Sequence, residues 1–241
     1  MTKYTVMSCI FLLIFVTYSR MDNSAASTKN LNIVAFGDSI THGSGDPTKQ
    51  GYIQRFKFKF EEKTGFPVQM YNYGIPKYTT HDVLEQLKDE TIRKQIKHAN
   101  YIILYIGTND FRKSADYEFA QLDENKMNEG RRSFSANIHA ILNNLRNKNM
   151  TAPIILLGLY HPYVEYHNGK DIQGCIERWN YEILEAACEY DESVFVPTID
   201  LFINGPKTDF FSDSLHPNSV GYELIADRLL EEVLLLEKNL D

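Results

Sequence analysis

Five short apolar runs punctuate the chain, at Leu31 to Phe36, Pro67 to Tyr73, Tyr101 to Ile106, Pro153 to Leu159 and Val194 to Val196. Within each run apolar residues follow one another with little alternation, the pattern of strands buried on both faces. Between the runs the rhythm changes. Phe134, Ile138, Ile141, Leu142 and Leu145 recur at helical spacing, as do Ile172, Ile176, Trp179, Ile183 and Ala187, and each set makes one apolar stripe along a helix. Strands alternating with helices predict an α/β fold, here a three-layer α/β/α sandwich around a central, mostly parallel five-stranded sheet. A final helix is predicted from about Ser219 into Leu236.

At 241 residues the chain can bury one substantial core, and no linker, repeat or low-complexity tract divides it. The segment before Leu31 reads differently. Lys3 gives a weakly positive end, Thr5 to Ser19 is mostly apolar, and Ser24-Ala25-Ala26 offers small residues suited to signal cleavage. Residues 1–26 are therefore expected to be a signal peptide or an N-terminal membrane anchor, and residues 27–241 the folded domain. The apolar stretch is shorter than the roughly 20 residues that cross a bilayer, so cleavage and anchoring both stay open. Either way the domain is expected to be exported, secreted or held at the outer face of the cytoplasmic membrane. Cys9 precedes the apolar run instead of following it, which argues against lipid acylation there.

The balance of 25 basic and 32 acidic residues, net -7, lacks the basic patches that recruit nucleic acid. Cys175 and Cys188 fall in one predicted helix, where 13 positions separate them by about 20 Å, too far for a disulfide. Both read as small buried residues. No Cys/His spacing suggests a metal site, and no cofactor is implied.

The polar residues at the strand ends carry the chemistry. Gly37-Asp38-Ser39-Ile40-Thr41 follows the first strand, Gly74 the second, and Gly107-Thr108-Asn109-Asp110 the third. In a parallel sheet these loops leave from one edge, where ligands bind. A serine hydroxyl attacks an acyl carbon only when a base takes its proton. His216, in Asp213-Ser214-Leu215-His216-Pro217, is the candidate base, with Asp213 to orient it. The Ser39 and Gly74 amides and the Asn109 side chain could donate to an oxyanion. Taken singly, Asp38-Ser39 would be a helix cap, Gly74 a turn and Asn109 a loop cap. Asp38 and Asp110 read as loop braces. Gly43-Ser44-Gly45 lacks the rest of a phosphate loop and reads as a flexible loop beside the site. His42, His81, His161 and His167 read as surface or loop residues, and Tyr160, Tyr163, Tyr166 and Phe111 as a candidate aromatic wall.

Taken in order, Gly37-Asp38-Ser39-Ile40, Gly74, Gly107-Thr108-Asn109-Asp110 and Asp213-Ser214-Leu215-His216 resemble the four sequence blocks of the SGNH hydrolases, the GDSL-like lipase/acylhydrolase family. Gly158-Leu159-Tyr160 and Phe195-Val196-Pro197-Thr198 resemble members from Gram-positive bacteria. The resemblance implies a flavodoxin-like SGNH domain, Ser39 as nucleophile, His216 as base, Asp213 as its orienting carboxylate, and Ser39, Gly74 and Asn109 as the oxyanion hole. It implies a serine esterase working through an acyl-enzyme on a small-molecule or lipid ester. Alternatives are an O-acetyl esterase acting on cell-envelope polysaccharide and a non-catalytic glycan- or lipid-binding protein on the same fold. One departure is Lys77, at a position often occupied by glycine.

Overall fold

The computed structural model describes residues 30–240. The N-terminal segment 1–26, with its expected cleavage or anchoring, and Cys9 lie outside the described residues. Among the described residues no helix is long and apolar enough to cross a membrane.

Strands β1 (Leu31–Gly37), β2 (Val68–Gly74), β3 (Tyr101–Tyr105), β4 (Ile154–Leu157) and β5 (Ser193–Val196) form one parallel sheet in the order β2-β1-β3-β4-β5. This is the flavodoxin-like strand order, in which successive connections leave in opposite directions from β1 and open a crevice at the carboxyl ends of β1 and β3. Register makes those ends level: Gly37 faces Gly74 on one side and Tyr105 on the other.

The continuous apolar runs resolve into two faces. Val34, Phe36, Ile102, Leu104, Ile154 and Leu156 enter one core cluster, while Ile33, Ala35, Ile103, Tyr105, Ile155 and Leu157 enter the other, as the period of two along a strand requires. Helices α3 (Thr80–Gln86), α4 (Glu90–Lys97), α5 (Thr108–Ser114), α6 (Glu124–Arg146) and α7 (Gly169–Glu189) cover the first face. Helices α1 (Ser39–His42), α2 (Gly51–Thr64) and α9 (Ser219–Leu240) cover the second, and a single turn α8 (Lys207–Phe210) precedes α9.

Two expectations need correction. The edge strands are only partly buried: β2 exposes Gln69 and Asn72, and only Val196 of β5 is fully covered, because an edge strand has one neighbour and shorter cover. Cys175 is buried but Cys188 is exposed. Thirteen positions rotate a side chain about 220° around a helix, which turns Cys188 away from the core face that Cys175 occupies.

Candidate active site

Ser39 is the first residue of α1, placed where β1 ends at the crevice. Asp38 caps the helix, its Oδ1 accepting the Ile40 N–H at 2.9 Å. First-turn amides have no intrahelical acceptor, and the Ser39 N–H meets none among the described residues. The Ser39 side chain is nearly enclosed, with the residue 6% exposed.

The distant loop does come back to this edge. A single antiparallel bridge between Phe211 and Pro217 closes it, with the Ser212 N–H donating to the His216 carbonyl at 2.9 Å. Tyr160, from beyond β4, donates its hydroxyl to the Leu215 carbonyl at 2.8 Å. So held, His216 Nε2 lies 3.0 Å from Ser39 Oγ, and His216 Nδ1 lies 2.7 Å from Asp213 Oδ2. The other Asp213 oxygen accepts the Leu215 and His216 N–H groups, each at 2.7 Å. Burial tends to raise the Asp213 pKa, but the His216 amide and ring and the Leu215 amide outweigh it and hold the carboxyl below its ordinary range. An ionised Asp213 keeps the proton on Nδ1 and leaves the Nε2 lone pair facing Ser39.

Asn109 stands at the start of α5, buried, donating to the Tyr78 carbonyl at 2.9 Å and, at a long 3.5 Å, to Asp38 Oδ2. Lys77, the departure noted above, has φ +72°, the left-handed conformation that glycine adopts without cost. It sits in the turn closed by Tyr78 N–H on Ile75 O, which aims the Tyr78 carbonyl at Asn109. Asp110 accepts from both the amide and hydroxyl of Thr80, bracing α5 against α3.

Gly74 is placed differently from a free donor. Its N–H donates to Asn72 Oδ1 at 2.9 Å, while Asn72 Nδ2 donates to the Thr41 carbonyl at 2.8 Å. A Cβ at Gly74 would stand 2.6 Å from His42 N and 2.7 Å from Thr41 C, so the missing side chain lets α1 lie against the end of β2.

Burial pushes the Asp38 carboxyl up to about 7, and the nearby Asp110 adds to the effect against the Ile40 amide and Arg112, which lower it. Among the described residues no group of three or more His, Cys, Asp or Glu is arranged to hold a metal.

The expected flexible loop at Gly43 to Gly45 is instead tightly tied. Tyr222 donates to the Ser44 carbonyl at 2.7 Å. Buried Asp46 accepts from the Gly51 amide, Ser219 Oγ and Arg55, a residue itself 8% exposed. The loop thus joins α2 to the start of α9, immediately after His216. No sequence periodicity marks Asp46 and Arg55, which lie nine residues apart in a loop and in α2.

Of the set-aside histidines, His42, His81 and His167 are exposed, whereas His161 is buried with Nδ1 unpartnered among the described residues. Phe111 belongs to the core against Trp179. Tyr163 and Tyr166 line a cleft of about 650 Å³ that also borders Ser214 and Leu215.

A parallel sheet in this order brings a serine, a histidine and an aspartate together at its switch point, in an α/β fold of the GDSL/SGNH class. The chain belongs to the GDSL-like lipase/acylhydrolase family, whose sequence profile matches residues 35–224. It is 30% identical over 243 residues to the uncharacterised protein YpmR of Bacillus subtilis strain 168, covering 95% of both chains. It is 25% identical over 207 residues to the spore germination lipase LipC of Bacillus licheniformis, covering 83% of this chain and 94% of LipC. In structure it is similar to the lipase Lip_vut3 from a goat rumen metagenome, with TM-score 0.73 and 26% identity, covering 83% of this chain and 95% of that one.

Proposed function

We propose that this GDSL-family hydrolase cleaves carboxylic esters through an acyl-enzyme on Ser39. The observation that carries the reading is the unbroken relay from Ser39 Oγ to His216 Nε2 and from His216 Nδ1 to Asp213, at 3.0 and 2.7 Å. As Ser39 Oγ bonds to the ester carbon, His216 takes its proton and Asp213 stabilises the imidazolium. The carbonyl oxygen, now an anion, accepts from the Ser39 N–H, and from the Asn109 side-chain NH2 once it exchanges its long 3.5 Å contact with Asp38 for the substrate. The Gly74 N–H joins them when Asn72 gives up its hold. Collapse breaks the ester C–O bond and His216 protonates the departing alkoxide. Water, deprotonated by His216, then attacks the acyl-enzyme and releases the acid. Each oxyanion donor is worth about 2.7–4 kcal/mol in the transition state.

A second reading, an O-acetyl esterase of envelope polysaccharide, draws support from the polar cleft beside the acid–base loop, where exposed Tyr117 and Tyr166 alternate with Arg112, Glu165 and Lys207. Export, on the strength of the N-terminal segment alone, would place the enzyme among such polymers. A panel of aryl esters from acetyl to long acyl chains, run beside Ser39→Ala, tests both. Turnover falling by about 10³-fold or more in Ser39→Ala is the expected result, and full turnover there would sink the mechanism. Strict acetyl preference favours the glycan reading, and a preference for long chains favours a lipid.

A further inference from the structure

The cleft beside the acid–base loop contains polar groups that the hydrolytic relay leaves unused. Ser214 and Leu215, the two residues before His216, are among the residues that line it, so the cleft borders the acid–base loop. Arg112 lines it from α5, one turn beyond Asn109, and among the described residues its guanidinium has no carboxylate within ion-pair distance. It rests over the Tyr117 ring at 5.1 Å. The second cation, Lys207, is already neutralised by Glu165 at 2.7 Å.

An independent feature lies in the same wall. Tyr163 is only 6% exposed, yet its hydroxyl has no hydrogen-bond partner among the described residues. An orphaned buried hydroxyl typically costs about 1–3 kcal/mol, and such atoms call for a ligand or a structural water. A guanidinium without a carboxylate partner and a buried O–H without an acceptor, carried by residues that line one cleft, are a donor set suited to an oxyanion.

We propose that Arg112 and Tyr163 form an anion subsite that selects esters whose alcohol portion carries a phosphate or carboxylate group. This rests on the esterase reading for its account of which part of the substrate enters the cleft. The binding of the alcohol itself does not require turnover.

The test uses the intact protein with glycerol 3-phosphate, glycerate and glycerol as probes of the alcohol side, measured by calorimetry, together with kcat/KM for their butyryl esters. Both anions, or one of them, should bind at least ten-fold more tightly than glycerol, and the stronger arm tells phosphate from carboxylate recognition. Arg112→Gln should close that gap, Arg112→Lys should restore part of it, and Tyr163→Phe should narrow it by a few-fold. The ratio of kcat/KM for anionic over neutral ester should follow the same order and fall with added salt. Unfolding midpoints identify any variant that loses binding through misfolding; in that event the salt dependence and the anion preference of the unmodified protein decide. Equal binding of all three probes, or a preference untouched in a folded Arg112→Gln, would overturn the subsite. Anion binding that depends on Arg112 without cleavage of any ester would leave the subsite standing and remove the esterase reading instead.

Discussion

At the scale of single residues, the legible part of the site was the part whose chemistry demands particular side chains. A serine after one strand and a histidine three residues beyond an aspartate were readable because few other residue types can act as nucleophile and base. The hydrogen-bond state of each group was not readable. Nothing in the sequence tells that the Gly74 amide is engaged by Asn72, or that Tyr163 lacks a partner, since both depend on rotamers set by tertiary packing. Asp38 illustrates how burial turns a capping carboxylate into a titrating group. Its pKa, raised from 3.8 to about 7 by burial, exceeds its unfolded value, so the native state holds the proton more tightly. Both states are protonated only well below pH 3.8. Stability is then lost as pH rises toward 7 and levels off above it. Asp38→Asn keeps an oxygen for the Ile40 amide and removes this loss. Relative to the unmodified protein, its urea-unfolding free energy should improve between pH 4 and pH 7.5 by on the order of 3–4 kcal/mol. A difference independent of pH would contradict the buried, titrating Asp38.

At the scale of elements, strands and long helices followed from hydrophobic spacing, whereas the ties between loops did not. Period and run length report which face is buried, and the stripes at Phe134 to Leu145 and Ile172 to Ala187 supply the buried faces of α6 and α7. The partners Asp46, Arg55 and Ser219 lie in different elements, with Ser219 173 residues from Asp46, and no local pattern links them. Their effect is to make the Gly43 to Gly45 loop a rigid support for His216. Gly45 has φ +85°, and a Cβ there would stand 2.7 Å from His216 Cβ and also collide with Ser212 Oγ. Gly45→Ala should therefore displace the imidazole, lowering kcat on a small aryl ester by roughly 10²-fold, the scale expected of a misplacement of about 1 Å, with KM changing little. Unaltered kcat in the folded variant would show that the loop does not position His216.

At the scale of the whole molecule, alternation of strand and helix sufficed for a parallel α/β/α sandwich, while the flavodoxin-like strand order was implied by the family resemblance and not by the alternation itself. That order puts Ser39 after β1 and Asn109 after β3, on either side of the switch point, and leaves the loop after α8 to bring His216 across. Both core clusters draw on alternate residues of the same central strands, so the two helical layers should unfold together. Trp179, the single tryptophan, is buried in the first cluster, and its fluorescence should change with the same urea midpoint as far-UV circular dichroism. Separate midpoints would show that the layers are independent. Activation of Ser39 as the nucleophile is read out by mass spectrometry after treatment with an alkyl fluorophosphonate. One equivalent should attach to Ser39, and ester turnover should fall in proportion to labelling. Undiminished turnover with Ser39 unmodified, or loss of turnover through labelling of a different residue, would contradict it.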